Sequence, residues 1–370
     1  MKKIFVAFLI LAVAGGWLVA QDDPTFTWSG EFVTGAHVVV NEAIDDPLFT
    51  LANDDGRNRV RVNGALVGPT YGLNFRLQAA NIALDPPATT DGTANTTSRL
   101  VTLPFAYGYV TFLDNLLKVT AGQIDPAVWG TGGTLDASWD AGAAVRFEFT
   151  PAAVEGLNVG FSLKFSDLER PHSLAAGVPI ADVLQETVLG FKYTGLSILD
   201  IKGSFKLDGD ADAAKDMNAG LGIALKGTPL TTAALEFVGV NLSDLEDTGT
   251  GEIRLGQKVV YDINALTLQL SAREYIYTLK DKDLGLWIEP VVKYKINDSL
   301  TAALNAVIGS GDMFENIGFE IKPSLTYTVG KATIDFIYRF NSHSGRPDLW
   351  TVAAEGSSLQ AIGANFKWAF

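Results

Sequence analysis

Along most of the chain, apolar and polar positions alternate one by one. From Leu157 to Phe165 the odd positions are apolar and the even ones are polar or glycine. Leu199, Ile201, Phe205 and Leu207 stand against Asp200, Lys202, Ser204 and Lys206. The same holds over 319–327, 334–340 and 364–370. A period of two places successive side chains on opposite faces of a strand. Helical periodicity is nearly absent after residue 21. Each run is about 9–12 residues long, the length of a tilted strand that crosses a bilayer.

The connections alternate as well. Tight turns are expected at Gly68-Pro69, Asp114-Asn115, Gly195, Gly227-Thr228-Pro229, Asp262-Ile263-Asn264, Asn297-Asp298 and Val329-Gly330, with a looser one at 150–155. Longer polar segments lie between them, at 41–55, 82–100, 125–138, 166–185, 208–216, 241–250, 278–283, 309–316 and 341–358. This predicts an all-β, antiparallel up-and-down barrel of about 18 strands, or about 16 if one weak pair merges. If Gly68-Pro69 is a two-residue turn, Arg61 faces Arg76 and Val62 faces Phe75. Val60, Val62 and Leu66 then share a face with Leu73, Phe75 and Leu77, and the arginines take the other. A weak repeat places Pro290 and Pro323 inside strands, where a missing donor predicts a bulge or distortion at both places.

A soluble sandwich also alternates, but it does not close about 18 long strands over one core. The polar face here is rich in Gly, Ser, Thr and Asn, and the other face carries large residues on almost every strand. A barrel in lipid explains both, because every backbone group is paired and no edge remains. Tyr107, Tyr109, Tyr193, Tyr294, Tyr327 and Tyr338 are then expected in aromatic girdles. The chain ends Phe366-Lys367-Trp368-Ala369-Phe370. Alternation to the last residue makes this a strand with Phe366, Trp368 and Phe370 toward lipid, its end pairing near Phe26 and Trp28.

Composition narrows the class. The 370 residues contain no Cys, 37 Gly and a formal charge of −14. Disulfides, thiolate metal sites and lipidation at Cys are excluded, and the acidic balance argues against nucleic acid. Lys2-Lys3, the apolar run 4–14 and the small residues before Gln21 read as a secretory signal peptide over 1–20, which is cleaved. Residues 21–370 form one domain. Without Lys2 and Lys3 the count is 26 Lys+Arg against 42 Asp+Glu, hence −16.

Signal peptide, strand pattern and terminal Phe together resemble the Gram-negative outer-membrane porin superfamily. Two stretches carry the likeness. The last strand, with Phe366, Trp368 and Phe370, looks like the signal that the barrel-assembly machinery recognises. Leu116 to Asp125, followed by Pro126-Ala127-Val128-Trp129-Gly130-Thr131-Gly132-Gly133, looks like the fifth strand of general porins running into a third loop that folds into the lumen. Val128-Trp129-Gly130 stands in place of the usual Glu-Phe-Gly, so the acidic residues of that loop do not map one to one. The resemblance implies a bacterial outer-membrane location, a constriction formed by the third loop, and a homotrimer.

Candidate chemistry centres on Arg57-Asn58-Arg59-Val60-Arg61. A spacing of two sets three guanidiniums about 7 Å apart on one strand face, and lipid cannot hold them. Arg76 and Arg146 have inward parity on neighbouring strands. Asp125, Asp136 and Asp140 lie in or beside the third loop. A basic wall facing an acidic loop would select ions in a narrow pore; alternatively, the arginines brace loop ends against Asp54 and Asp55. Asp208-Gly209-Asp210-Ala211-Asp212 fails as a calcium loop because Ala219 holds the twelfth place. Trp129, Trp139 and Trp287 are too scattered for a sugar track. His37, His172 and His343 form no catalytic set, and no cofactor or metal motif is present. The expectation is a non-enzymatic porin passing small hydrophilic solutes and ions by diffusion. A substrate-selective channel, for carbohydrate for example, or a non-conducting adhesive barrel are the alternatives.

Overall fold

The computed structural model describes residues 24–41, 47–50, 58–80, 101–125, 127–135, 137–164, 187–208, 216–226, 230–242, 251–276, 284–310, 317–342 and 358–370. The proposed signal peptide, Arg57, Asp136 and most of the long polar segments lie outside the described residues.

Among the described residues, nineteen strands form one antiparallel sheet. They are β1 (Thr25–Asn41), β2 (Leu48–Thr50), β3 (Arg59–Val67), β4 (Tyr71–Ala80), β5 (Val101–Phe112), β6 (Leu117–Ile124), β7 (Gly142–Phe149), β8 (Leu157–Lys164), β9 (Thr187–Tyr193) and β10 (Leu199–Asp208). There follow β11 (Asp216–Leu225), β12 (Thr232–Val240), β13 (Glu252–Ile263), β14 (Leu266–Ile276), β15 (Leu284–Lys295), β16 (Leu300–Ser310), β17 (Ile317–Val329), β18 (Ala332–Ser342) and β19 (Ser358–Ala369). The sheet closes because β1 pairs with both β3 and β19. β2 is a three-residue piece that pairs with β1 at His37–Val39, beyond the β3 ladder. Setting it aside leaves 19 − 1 = 18 barrel strands. The segment 41–55, read from sequence as a loop, therefore contains a short strand.

Alternation decides which way the side chains point. Phe26, Trp28, Leu189, Leu235, Leu270 and Phe336 are all at least half exposed on the outside of the sheet. Their neighbours on the other face, such as Val188, Glu236 and Ser271, are buried. The molecule thus shows its large apolar residues outward and its polar ones inward, the inverse of a soluble protein and the arrangement lipid demands.

Three local expectations are corrected. The β3–β4 register pairs Asn63 with Arg76 and Arg61 with Gln78, two residues away from the pairing Arg61–Arg76. The Gly68 N–H donates to the Tyr71 carbonyl at 2.9 Å, so Pro69 and Thr70 are the turn residues. Proline's fixed φ suits the second position of a β-turn and is disfavoured at the third, which moves the turn by one residue. A shift of two preserves parity, so each face keeps its members.

Pro290 and Pro323 distort their ladders, as expected, but do not bulge or shift the register. The β15–β16 ladder skips Glu289 and Pro290, and the β17–β18 ladder skips Lys322 and Pro323, each resuming in phase. The register does slip at Pro104. Arg76 pairs with Phe105 and Gln78 with Thr102, so β5 holds one extra residue there. A proline that cannot donate is accommodated by a bulge.

That bulge inverts the parity of β5. Leu103 faces outward and is half exposed, whereas Phe105 is buried on the inner face. Tyr107 pairs with Asn74 and Tyr109 with Gly72, both inward positions. Tyr107 and Tyr109 therefore line the inside and do not belong to an outer aromatic girdle. Tyr294, Tyr327 and Tyr338 do face outward.

Candidate functional site: the inner wall and the third loop

The inner face of β1, β3 and β4 gathers charge around one carboxylate. Strand parity sends Glu31, Arg59, Arg61 and Arg76 to the same side. Arg59 Nη2 lies 2.7 Å from Glu31 Oε1, and Arg61 Nη1 lies 3.2 Å from the same oxygen. Lys367 of β19 reaches Glu31 Oε2 at 3.2 Å across the closing seam. Among the described residues, three cations therefore share one carboxylate, a local excess of 3 − 1 = 2 positive charges. Guanidiniums this close are tolerated only beside a carboxylate or water.

Arg76 is held differently. Its Nε donates to Asn63 Oδ1 at 2.8 Å, and its guanidinium lies 4.6 Å from the centre of the Phe105 ring. Asp125 Oδ2 stands 4.0 Å from Nη1, beyond hydrogen-bonding distance. Further along the wall, Lys118 sits over the Tyr109 ring at 4.8 Å and 3.6 Å from Glu148.

The third loop, between β6 and β7, lies against the inner face of six later strands. Trp129 is completely buried. Its Nε1 donates to Asn158 Oδ1 at 2.8 Å on β8. Its ring occupies the space over Gly160 and Gly190, where a Cβ on Gly190 would come within 2.1 Å of the indole. Glycine is required there by close approach, not by backbone conformation. Lys164 Nζ donates to the Trp139 carbonyl at 2.8 Å. Thr131 packs over Gly222 and Trp139 over Gly220, while Thr134 and Leu135 stand above Gly256. The inward glycines of β8, β9, β11 and β13 thus form the groove in which the loop rests.

Two carboxylates fasten this loop. Asp140 accepts from the Val128 N–H at 2.6 Å and the Trp129 N–H at 3.3 Å. Asp140 also pairs with Arg146 at 3.0 Å, and Arg146 reaches Glu148 at 3.2 Å. Both members of the Asp140–Arg146 pair are at most 3% exposed. At the loop tip, Glu236 of β12 accepts from the Gly133 N–H at 2.8 Å, the Leu135 N–H at 2.9 Å and the Thr134 hydroxyl at 3.2 Å.

The structure therefore divides the residues singled out from sequence. Arg59, Arg61 and Arg76 come together on the inner wall, with Asp125 beside Arg76. Arg146 and Asp140 meet each other in a buried pair at the loop root, where their charges compensate. Arg57 and Asp136 lie outside the described residues. His37 is buried on the inner face, with its Nε2 2.9 Å from Asn365 Oδ1. Phe370 exchanges two backbone hydrogen bonds of 2.9 Å with Gly30, and its ring centre is 6.1 Å from that of Trp28.

The anchoring contacts themselves were not readable. Glu31 meets Arg59 and Arg61 on the neighbouring strand and Lys367 across the closing seam, which needs the strand register. Trp129, noted as an aromatic of the third loop, and Glu236, an inward charge, meet partners that depend on loop conformation. Pro104 was the one readable signal missed. A proline inside a strand marks a possible slip, and here it turns Phe105, Tyr107 and Tyr109 inward.

No family model and no curated protein matches this chain. Solved structures do. The anion-selective porin from Comamonas acidovorans is similar with a TM-score of 0.54 at 13% identity, covering 94% of this chain and 100% of that one. Salmonella typhi OmpF, in complex with daunomycin, is similar with a TM-score of 0.50 at 12% identity, covering 95% of this chain and 99% of that one. The chain has the fold of Gram-negative porins, an all-β closed antiparallel barrel.

Proposed function

We propose that the protein is an outer-membrane porin, a water-filled channel through which small hydrophilic solutes and ions diffuse. The observation that carries this reading is the third loop lying against the inner wall of a closed barrel whose outer face is apolar. A loop held inside narrows the passage and sets a size limit. A lumen lined by charge selects among the solutes that fit. The Comamonas relative is named as anion-selective; that likeness supports the fold alone. The charge reading here rests on Arg59, Arg61 and Arg76 with Lys367, against Glu31 and Asp125.

In this reading Arg57 extends the basic wall toward the mouth, and Asp136 adds acid to the loop. Arg146 and Asp140 contribute by fixing where the loop lies. The lipid of the bacterial outer membrane surrounds the apolar face after export by the signal peptide of 1–20. The barrel-assembly machinery reads Phe366, Trp368 and Phe370. Association into a homotrimer follows the porin analogy. No catalytic step is assigned.

Liposome swelling tests the reading. Vesicles containing the purified barrel should swell in isosmotic arabinose, more slowly in glucose and more slowly still in sucrose. Swelling no faster than in protein-free vesicles for all three sugars overturns it.

A further inference from the structure

The charge excess on β1 and β3 adjoins a recess of about 460 Å³ on the inner wall. Ser29, Asn63, Asn74, Arg76, Tyr107 and Asp125 contribute to its lining. Its size is that of a small-ligand site. Its chemistry is more specific than that of a charged ring. Arg76 is fixed at one side by the 2.8 Å bond from Nε to Asn63 and at its face by the Phe105 ring. Among the described residues, its terminal nitrogens make no hydrogen bond, and Asp125 stands off at 4.0 Å. A guanidinium immobilised through Nε and its face presents the remaining fork for bidentate binding of a carboxylate. The neighbouring excess of two positive charges favours an anion there as well.

A bare anion needs nothing more. The rest of the recess has another use. Ser29, Asn63 and Asn74 both donate and accept, and Asp125 accepts, so together they match a ligand carrying several hydroxyls. Tyr107 stands next to Asn74 in the strand register and is only half-buried. An aromatic face beside amide and hydroxyl groups complements the C–H face of a sugar ring.

Resting on the reading of the lumen as a solute passage, we infer that this recess is a binding subsite for sugar acids. The carboxylate sits on Arg76, the hydroxyls meet Ser29, Asn63, Asn74 and Asp125, and the ring rests against Tyr107. The subsite depends on the bulge at Pro104, because without it Phe105 and Tyr107 would face lipid.

Titration calorimetry on the purified full-length barrel in detergent tests this with D-galacturonate, D-galactose and acetate. Galacturonate should bind saturably with Kd on the order of 1 mM. Galactose and acetate, each lacking half of the recognition, should bind at least about tenfold more weakly. Arg76→Gln should reduce galacturonate affinity to that of galactose, while Arg76→Lys, which keeps the charge but not the fork, should fall between. Tyr107→Ala should weaken galacturonate and galactose by the same factor and leave acetate unchanged. Acetate binding as tightly as galacturonate would reduce the recess to a simple anion site and overturn the proposal. Equal binding of galactose would remove the role of Arg76, and no saturable heat from the folded wild-type barrel would remove the subsite altogether. The wild-type comparison stands even if a variant fails to fold. Calorimetry reads binding without conductance. A conducting barrel that binds no galacturonate overturns this inference alone, and a binding barrel that does not conduct overturns the porin reading alone.

Discussion

Phe370 closes the barrel on Gly30. The two residues exchange a pair of 2.9 Å backbone hydrogen bonds. The Phe370 ring covers the position of a Gly30 side chain, where a Cβ would lie 2.2 Å from the ring. The last residue of the chain is thus paired and packed rather than frayed. Removing Phe370 takes away the final pair of the seam and the ring that meets Trp28 and Trp368. Phe370 deletion should lower the yield of heat-resistant folded barrel in outer-membrane fractions several-fold. Gly30→Leu should do so less, through about 1–3 kcal/mol of overpacking. An unchanged folded fraction for the deletion would remove Phe370 from the closure.

Trp129 anchors the root of the third loop. Trp129→Ala opens a void over Gly160 and Gly190 and leaves the half-buried Asn158 carbonyl oxygen without its donor. Large aromatic truncations in cores cost about 3–5 kcal/mol. Here the cost falls on the loop, because the surrounding strands remain paired. The variant should fold, and its channels should show larger and noisier single-channel currents. Steady currents of wild-type size would mean that the loop does not depend on this anchor.

Glu236 holds the tip. Glu236→Ala strips three donors of their acceptor, at about 1–3 kcal/mol for each that finds no water. Glu236→Gln keeps one acceptor oxygen and should lose less. A disulfide introduced between a loop-tip residue and β12 would form more slowly in both variants, in that order. Equal rates in wild type and both variants would show that the carboxylate does not position the tip.

Arg146 is buried between Asp140 and Glu148. Arg146→Ala leaves two carboxylates with reduced compensation, and breaking a buried pair from one side costs about 3–5 kcal/mol. Lys118, 3.6 Å from Glu148, relieves part of this. Arg146→Met combined with Asp140→Asn should recover much of the loss in urea unfolding from lipid vesicles. Equal destabilisation of single and double variants would deny the coupling.

Parity carried most of what the sequence disclosed. Alternation gave the strands, the even strand number and the inward placement of Arg59, Arg61 and Arg76, because a register error of two residues leaves faces unchanged. Phe366, Trp368 and Phe370 were readable for the same reason. Parity failed on β5, where one proline reverses the faces of Phe105, Tyr107 and Tyr109. It also could not disclose that Arg146 and Asp140 neutralise each other. That depends on where Asp140 turns within a loop, and loops have no period. The groove for Trp129 was present in the sequence only as inward glycines at 160, 190, 220, 222 and 256, which acquire meaning once the strands are side by side.

Single-channel recording in planar bilayers across a potassium chloride gradient tests the central claim most directly. The wild-type barrel should insert as discrete conductance steps, and its reversal potential should move toward cation preference in Arg59→Ala/Arg61→Ala as the three cations around Glu31 fall to one. Folded protein that inserts without any conductance step would contradict a water-filled pore. Steps with an unchanged reversal potential would contradict charge selection by these arginines.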